Sequence, residues 1–176
     1  IKPALDDIKH TMIKEFSGED KSYFEKEFKF FEEVTGISGK LKPFIKKSKP
    51  EKKDKIDAEM AVIKVEEGVY LPSNPDGTVV DIDRKSGKPL QSHAKAPFLA
   101  TFMIKKQTEE KEFEIVKTSA IFKVGDDCRQ DVLALQLISV FRSIWMNYGV
   151  DVYVFPYRVT ATAPGCGIID VLPNSI

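Results

Sequence analysis

The chain has 176 residues, 42% of them apolar and 31% charged, with 27 basic side chains against 27 acidic ones. Zero formal net charge removes any compositional case for general nucleic-acid binding, and the apolar content fits one soluble globular domain, or a small domain with an extension. Two cysteines, Cys128 and Cys166, cannot build a disulfide framework and suit a reducing compartment; no apolar run approaches the roughly 20 residues of a membrane span, and no signal peptide opens the chain. The start at Ile1 and the stop at Pro173-Asn-Ser-Ile176, straight after an apolar run, read as a piece of a larger protein.

Residues 3–16 carry Leu5, Ile8, Met12, Ile13 and Phe16 at helical spacing, with Pro3 in the first turn, where a helix tolerates it. A second helix is expected over 19–34, with Tyr23, Phe24, Phe28, Phe30 and Phe31 as a packing face toward a neighbouring domain. Gly36-Ile-Ser-Gly39 reads as a break. From Lys40 to Lys55, eight lysines face only Glu51 and Asp54, which reads as a solvated linker and helix. The alternative reading is attraction to an anionic membrane surface, at about 1 kcal/mol per lysine. A short helix is expected over 51–62.

From Lys64 the pattern changes to strands: Val65 to Leu71, then Val79 to Ile82, then Phe98 to Lys105 and Phe113 to Val124 as an antiparallel pair. Asp81 and Asp83 read as exposed strand acids without a role. Gly125 permits a sharp turn, and Asp126 or Asp127 can N-cap the helix that follows. That helix runs from Cys128 to Tyr148, with Val132, Leu133, Leu137, Val140, Phe141, Ile144 and Tyr148 as its expected buried stripe. Strands over 150–155 and 158–162, a turn at 163–167 and a last strand over 167–172 complete the order. The fold class is α+β: an antiparallel sheet plus one long helix, with an N-terminal helical extension.

No HExxH, CxxC, GxSxG or Walker A pattern is present, and His10 and His93 stand too far apart to suggest a metal site. One residue is out of place. Lys123 is a cation at the end of an apolar strand, where it can reach a bound phosphate or simply snorkel to solvent. It is followed by a helix with acids near its start and by an extended, Pro-terminated segment. This order matches the smaller lobe of a protein-kinase-like fold, in which a strand lysine holds ATP phosphates, an acid on the next helix fixes it, and a linker reads adenine. Lys123, Asp131 and the segment 169–172 take those places. The loop ahead of the lysine strand, Gln91-Ser-His-Ala-Lys-Ala-Pro97, has no glycine, so Ser92 and Lys95 would supply the phosphate contacts.

The stretch Phe122-Lys-Val-Gly-Asp-Asp-Cys-Arg-Gln-Asp131 resembles the lysine motif of phosphatidylinositol 3- and 4-kinases, and 154–175 resembles their path from inner pocket to hinge. The segments 69–77, 81–87, 89–97 and 23–31 are similar to the fungal type III alpha phosphatidylinositol 4-kinases, so the resemblance covers nearly the whole chain. It implies a protein-kinase-like smaller lobe over 64–168, the start of a hinge over 169–176, and a helical segment with a basic linker over 1–63. It implies transfer of the ATP gamma-phosphate to the 4-hydroxyl of phosphatidylinositol. The alternatives are a 3-kinase or related protein kinase, or a non-catalytic scaffold or membrane-interaction module.

Residue by residue, the resemblance places Lys123, Ser92 and Lys95 at the ATP phosphates. It places Asp131, Tyr157 and Asp126 in the inner pocket, Ile121 and Ile169 against adenine, and Asp170, Val171 and Leu172 in the hinge. The catalytic and magnesium-binding residues of the family fall outside this sequence, so the chain alone is expected to be inactive. The implied partners are phosphatidylinositol, the membrane surface, scaffold and membrane-anchor proteins and the remaining domains of the polypeptide, without nucleic acid. The implied location is cytoplasmic, peripheral at the plasma membrane.

Overall fold

A computed structural model describes residues 2–91 and 95–172; Ser92, His93 and the segment 173–176 lie outside them. Helix α1 (Lys2–Glu15) buries none of its residues, and Leu5, Ile8 and Met12 are exposed. Ser17 N-caps helix α2 (Gly18–Lys40), its hydroxyl accepting from the Asp20 amide, with Glu19 and Asp20 at the positive end of the helix dipole.

Helix α2 runs through Gly36 and Gly39 instead of breaking there. Each interior glycine costs about 1 kcal/mol relative to alanine. Tertiary packing offsets this: Val34, Ile37, Ser38 and Leu41 are buried, and the Ser38 hydroxyl donates to the Ala96 carbonyl at 2.9 Å. Of the expected packing face of α2, Phe30 turns to the chain's own sheet and meets Phe102 edge-on and Phe31 packs against the core, whereas Tyr23 and Phe28 are exposed.

A short 3-10 turn (Lys42–Phe44) leads to helix α3 (Lys49–Val62). Ser48 and Glu51 form a reciprocal capping box, so α3 begins two residues before the expected start. Of the eight lysines in 40–55, four are ion-paired: Lys40 and Lys55 to Glu59, Lys47 to Glu51 and Lys53 to Asp57. Half of the basic stretch is therefore tied into local structure.

Residues 65–71 do not form the expected strand. Gly68 adopts φ +95°, which ends any extended run, and Pro72 follows closely. The burial alternation survives without the ladder: Val69 and Leu71 are buried, and the Val69 carbonyl accepts from the Val79 amide at 2.7 Å.

Six strands build one antiparallel sheet: β1 (Gly77–Ile82), β2 (Lys88–Pro89), β3 (Phe98–Gln107), β4 (Phe113–Val124), β5 (Val159–Ala163) and β6 (Cys166–Asp170). Their order is β1-β3-β4-β6-β5, with β2 also on β3. One face presents Phe98, Ala100, Phe102 and Ile104 of β3, Ala120 and Phe122 of β4 and Ile168 of β6 to Val34, Ile37, Ile56 and Met60 of α2 and α3. Phe98 and Phe122 stack at 5.2 Å between ring centroids, and Phe102 meets Phe122 at 5.9 Å.

Helix α4 (Arg129–Asn147) departs from expectation in two ways. Cys128, not Asp126 or Asp127, occupies the N-cap, without a side-chain cap bond. Leu135 is the helix's buried residue, while of the expected stripe Val132 is half-buried and Leu133, Leu137, Val140, Phe141, Ile144 and Tyr148 are exposed. The helix meets the sheet at β5 and through Cys128, so its long apolar row faces outward. Residues 150–155 have no partner strand, and Val150, Val152, Tyr153 and Phe155 are exposed.

Phe122 stands at the centre of the aromatic cluster. Phe122→Ala is expected to cost about 3–5 kcal/mol of unfolding free energy, read as a fall in urea midpoint at unchanged slope.

Candidate functional site

Alternation along β4 sets the site. Ala120 and Phe122 face the core, so Ile121 and Lys123 face the opposite side. The register places Ile169 opposite Ile121 and Gly167 opposite Lys123. Ile121, Lys123 and Ile169 therefore share one face, and the two isoleucines are half-buried. That is the arrangement expected of an adenine platform beside a phosphate-binding cation.

The turn after β4 is held tightly. Gly125 adopts φ +87°, and its amide and that of Asp126 both donate to the Gly165 carbonyl, at 2.6 and 2.9 Å. Lys95 folds over this turn; a Cβ built on Gly125 would stand 3.2 Å from Lys95 Nζ. Lys95, from the segment ahead of β3, and Lys123, near the end of β4, therefore both stand beside this turn. Ser92 lies outside the described residues.

The acids divide differently from expectation. Lys123 Nζ pairs with Asp126 at 3.6 Å, whereas the expected partner Asp131 is exposed in the first turn of α4. Turn geometry gives Asp126 a shorter reach, three residues from the lysine. Both Lys123 and Asp131 flank the Cys128 thiol: burial pushes this thiol up, the lysine opposes that and Asp131 adds to it. The Lys123–Asp126 pair is partly exposed and long, so it leaves the ammonium group exchangeable toward a phosphate.

Asp127 is engaged elsewhere. Arg129 forms a two-pronged bond to it at 2.9 and 2.6 Å, which with the Arg129 amide holds its carboxyl down at about 2. Gly167 leaves room for the start of α4: a Cβ there would stand 2.8 Å from Cys128 Sγ.

Tyr157 lines a cleft of about 570 Å³ with Val132, Leu135, Gln136 and Ser139 of α4. Lys123 does not line this cleft.

Asp170 also departs from expectation. It pairs with Ala120 on the core-side face, so its side chain turns away from Ile169. There it meets Ser73 and Arg158, whose guanidinium donates to the Ser73 carbonyl at 3.3 Å and to Asp76 at 2.8 Å. The Asp170 amide donates to the Arg158 carbonyl, and the Val171 amide to the Ser119 carbonyl. Both N–H groups of this segment, expected to form the hinge, are therefore engaged inside the fold, and an adenine contact would have to come from other groups; Leu172 is half-buried at its end. Sequence reasoning misses the Ser73–Arg158–Asp76 group, because Arg158 stands more than 80 residues from Ser73 and Asp76.

The side-chain set fits the phosphates of a nucleotide: two ammonium groups converge beside a glycine turn. It does not supply a metal site, since no group of three or more His, Cys, Asp or Glu among the described residues is placed to hold an ion.

A lysine on an internal antiparallel strand, a helix packed at its turn and an extended segment leaving the sheet define the smaller lobe of a kinase-like fold. Residues 117–176 match the family described as "Phosphatidylinositol 3- and 4-kinase". Along its whole length it is 70% identical to "Phosphatidylinositol 4-kinase STT4" of Saccharomyces cerevisiae and 63% identical to "Phosphatidylinositol 4-kinase stt4" of Schizosaccharomyces pombe. It is 35% identical, over 60% of its residues, to "Phosphatidylinositol 3-kinase VPS34" of S. cerevisiae, of which it covers 11%. The chain spans about a tenth (10%) of the length of each of the two 4-kinases.

Burial pushes the Asp170 carboxyl up, opposed by the Ser73 hydroxyl and by Arg158. An acid with a raised folded value loses stability as pH rises from the unfolded value, about 3.9, through the folded one. Asp170→Asn removes that titration, so its stability relative to the parent should improve between about pH 3 and about pH 7 in urea unfolding. A difference that stays constant across the range would contradict the burial effect.

Proposed function

We propose that this chain is the ATP-phosphate side of a phosphatidylinositol 4-kinase, which transfers the gamma-phosphate of ATP to the 4-hydroxyl of phosphatidylinositol. The observation that carries the reading is the convergence of Lys123 and Lys95 on the Gly125 turn, in a chain 70% identical throughout to a named 4-kinase. ATP supplies the transferred group. Lys95 and Lys123 place positive charge where phosphate oxygens gather negative charge, and Ser92 belongs to the same loop. Ile121 and Ile169 give the adenine an apolar floor. Asp126 holds the lysine until a phosphate replaces it, and Asp131 stands behind it on α4.

In this reading residues 64–168 form the lobe, 169–176 begin the hinge and 1–63 precede the kinase domain. Magnesium ligands and the acid-base residues belong to other parts of the polypeptide. The substrate places the protein at a membrane surface, on the cytoplasmic side of the plasma membrane, held there by scaffold and anchor proteins. The 3-kinase alternative has weaker support, since that likeness covers only 60% of the chain at 35% identity.

In the full-length protein, Lys123→Met is expected to lower lipid phosphorylation on the order of 100-fold or more. Near-parental activity would remove Lys123 from the site. Product analysis of the parent is expected to yield the 4-phosphate; a 3-phosphate would overturn the substrate position.

A further inference from the structure

Three of the lysines without a salt bridge among the described residues, Lys49, Lys85 and Lys88, gather in a second place. Lys42, Lys46, Lys49 and Lys52 form no salt bridge among the described residues, in contrast to the four paired lysines of the same stretch. Lys49 lines a cleft of about 480 Å³ between the first turns of α3 and the segment 85–89. Lys53, Lys85 and Lys88 also line it, and Asp54 is its one acid. Lys85 and Lys88 likewise form no salt bridge among the described residues.

The walls of this cleft are fixed. Lys53 Nζ bonds Asp57 at 2.8 Å and the carbonyls of Lys85 and Gly87 at 2.8 and 3.1 Å, joining α3 to the opposite wall. Arg84 Nη1 donates to the Met60 and Ile63 carbonyls, both at 2.6 Å, at the far end of α3. Ser86 Oγ accepts from the Thr101 amide of β3 at 2.9 Å and donates to the Asp83 carbonyl. Lys53 is thus a structural pin whose charge is balanced by Asp57. Lys49, Lys85 and Lys88 remain against Asp54 alone, an excess of two positive charges around one preformed concavity.

Holding like charges together without a counterion is unfavourable, and the unfavourable term disappears when a multivalent anion enters. A dianion with several acceptor oxygens matches three ammonium donors. The space is of the order that accommodates a small organic ligand (about 300–1,000 Å³), so it has room for more than a bare oxyanion. The cleft lies with α3 on the core-side face of the sheet, whereas Lys123 points from the opposite face.

We propose that Lys49, Lys85 and Lys88 form a second anion site that takes a phosphomonoester, carried either on a lipid headgroup or on a soluble phosphate ester. Its occupancy does not depend on the nucleotide site.

The test uses the full-length protein, with Lys49, Lys85 and Lys88 replaced together by Gln, and a control in which Lys9, Lys14 and Lys21 are replaced together by Gln. Flotation measures binding to phosphatidylcholine vesicles with and without a phosphatidylinositol monophosphate, and calorimetry measures binding of a soluble inositol bisphosphate. The cleft variant is expected to bind the monophosphate vesicles on the order of 10-fold more weakly, with a flatter salt dependence, and the control to bind as the parent does. If calorimetry shows the same loss, the cleft reads the phosphate itself. If the soluble ester does not bind the parent, the source is the lipid. If vesicle binding is unchanged and only the ester is lost, the source is the free ester. Parental binding of both probes by the cleft variant, or an equal loss in the control, overturns the site. Lys123→Met should leave all of these bindings intact, so failure of the kinase reading and failure of this one are separately visible.

Discussion

Everything in this lobe depends on strand β4 being clothed on both faces with different chemistry. Phe122 stacks on Phe98 and beneath the helices, while its neighbours Ile121 and Lys123 look the other way. A slip of one residue in the β3–β4 register would send the lysine into the aromatic cluster and the phenylalanine to the opposite face. Ten paired positions between the strands make that slip expensive. The position of the cation is therefore a property of the core, because the packing that buries Phe122 also aims Lys123.

The core in turn draws in the segment ahead of the sheet. Helix α2 crosses two glycines to deliver Ile37 and Ser38, and the Ser38 hydroxyl bonds the Ala96 carbonyl, next to Lys95. A residue deep in an N-terminal helix thus anchors the loop that brings the second cation to the turn after β4. The basic stretch is stitched to α3 in the same manner, through Glu59 and Asp57. Helices α2 and α3, which read as an appendage, share one core with the sheet, whereas α1 buries none of its residues.

Where the hydrophobic period and the local turn chemistry agreed, the structure followed the sequence: β3, β4, the Gly125 turn and the span of α4 lie where their residues indicate. The failures have specific causes. Gly36 and Gly39 are weak helix residues, and burial of Ile37, which no local signal announces, overrides them. Val65 to Leu71 has strand residues but a left-handed Gly68 inside it. The stripe of α4 has the right period, yet period does not say whether a neighbour covers it. At the site, the shared face of Lys123, Ile121 and Ile169 follows from strand alternation and the β4–β6 register, whereas their placement around a nucleotide is what the family resemblance implies. The choice of Asp126 over Asp131, and the inward turn of Asp170 to Ser73 and Arg158, depend on distances across a turn and between remote segments.

Gly125 and Gly165 both stand in left-handed geometry, and a Cβ built on Gly165 would lie 3.9 Å from the Gly125 Cα. The carbonyl of one receives the amide of the other. The two turns behave as a single joint whose halves are encoded far apart in the chain. Each glycine is held by its own left-handed backbone, which strains any residue that carries a side chain, and the hydrogen bond between them ties the two turns together. Divergence among homologous lobes should therefore run around this pair, with the length of the turns free to vary only where the joint is preserved.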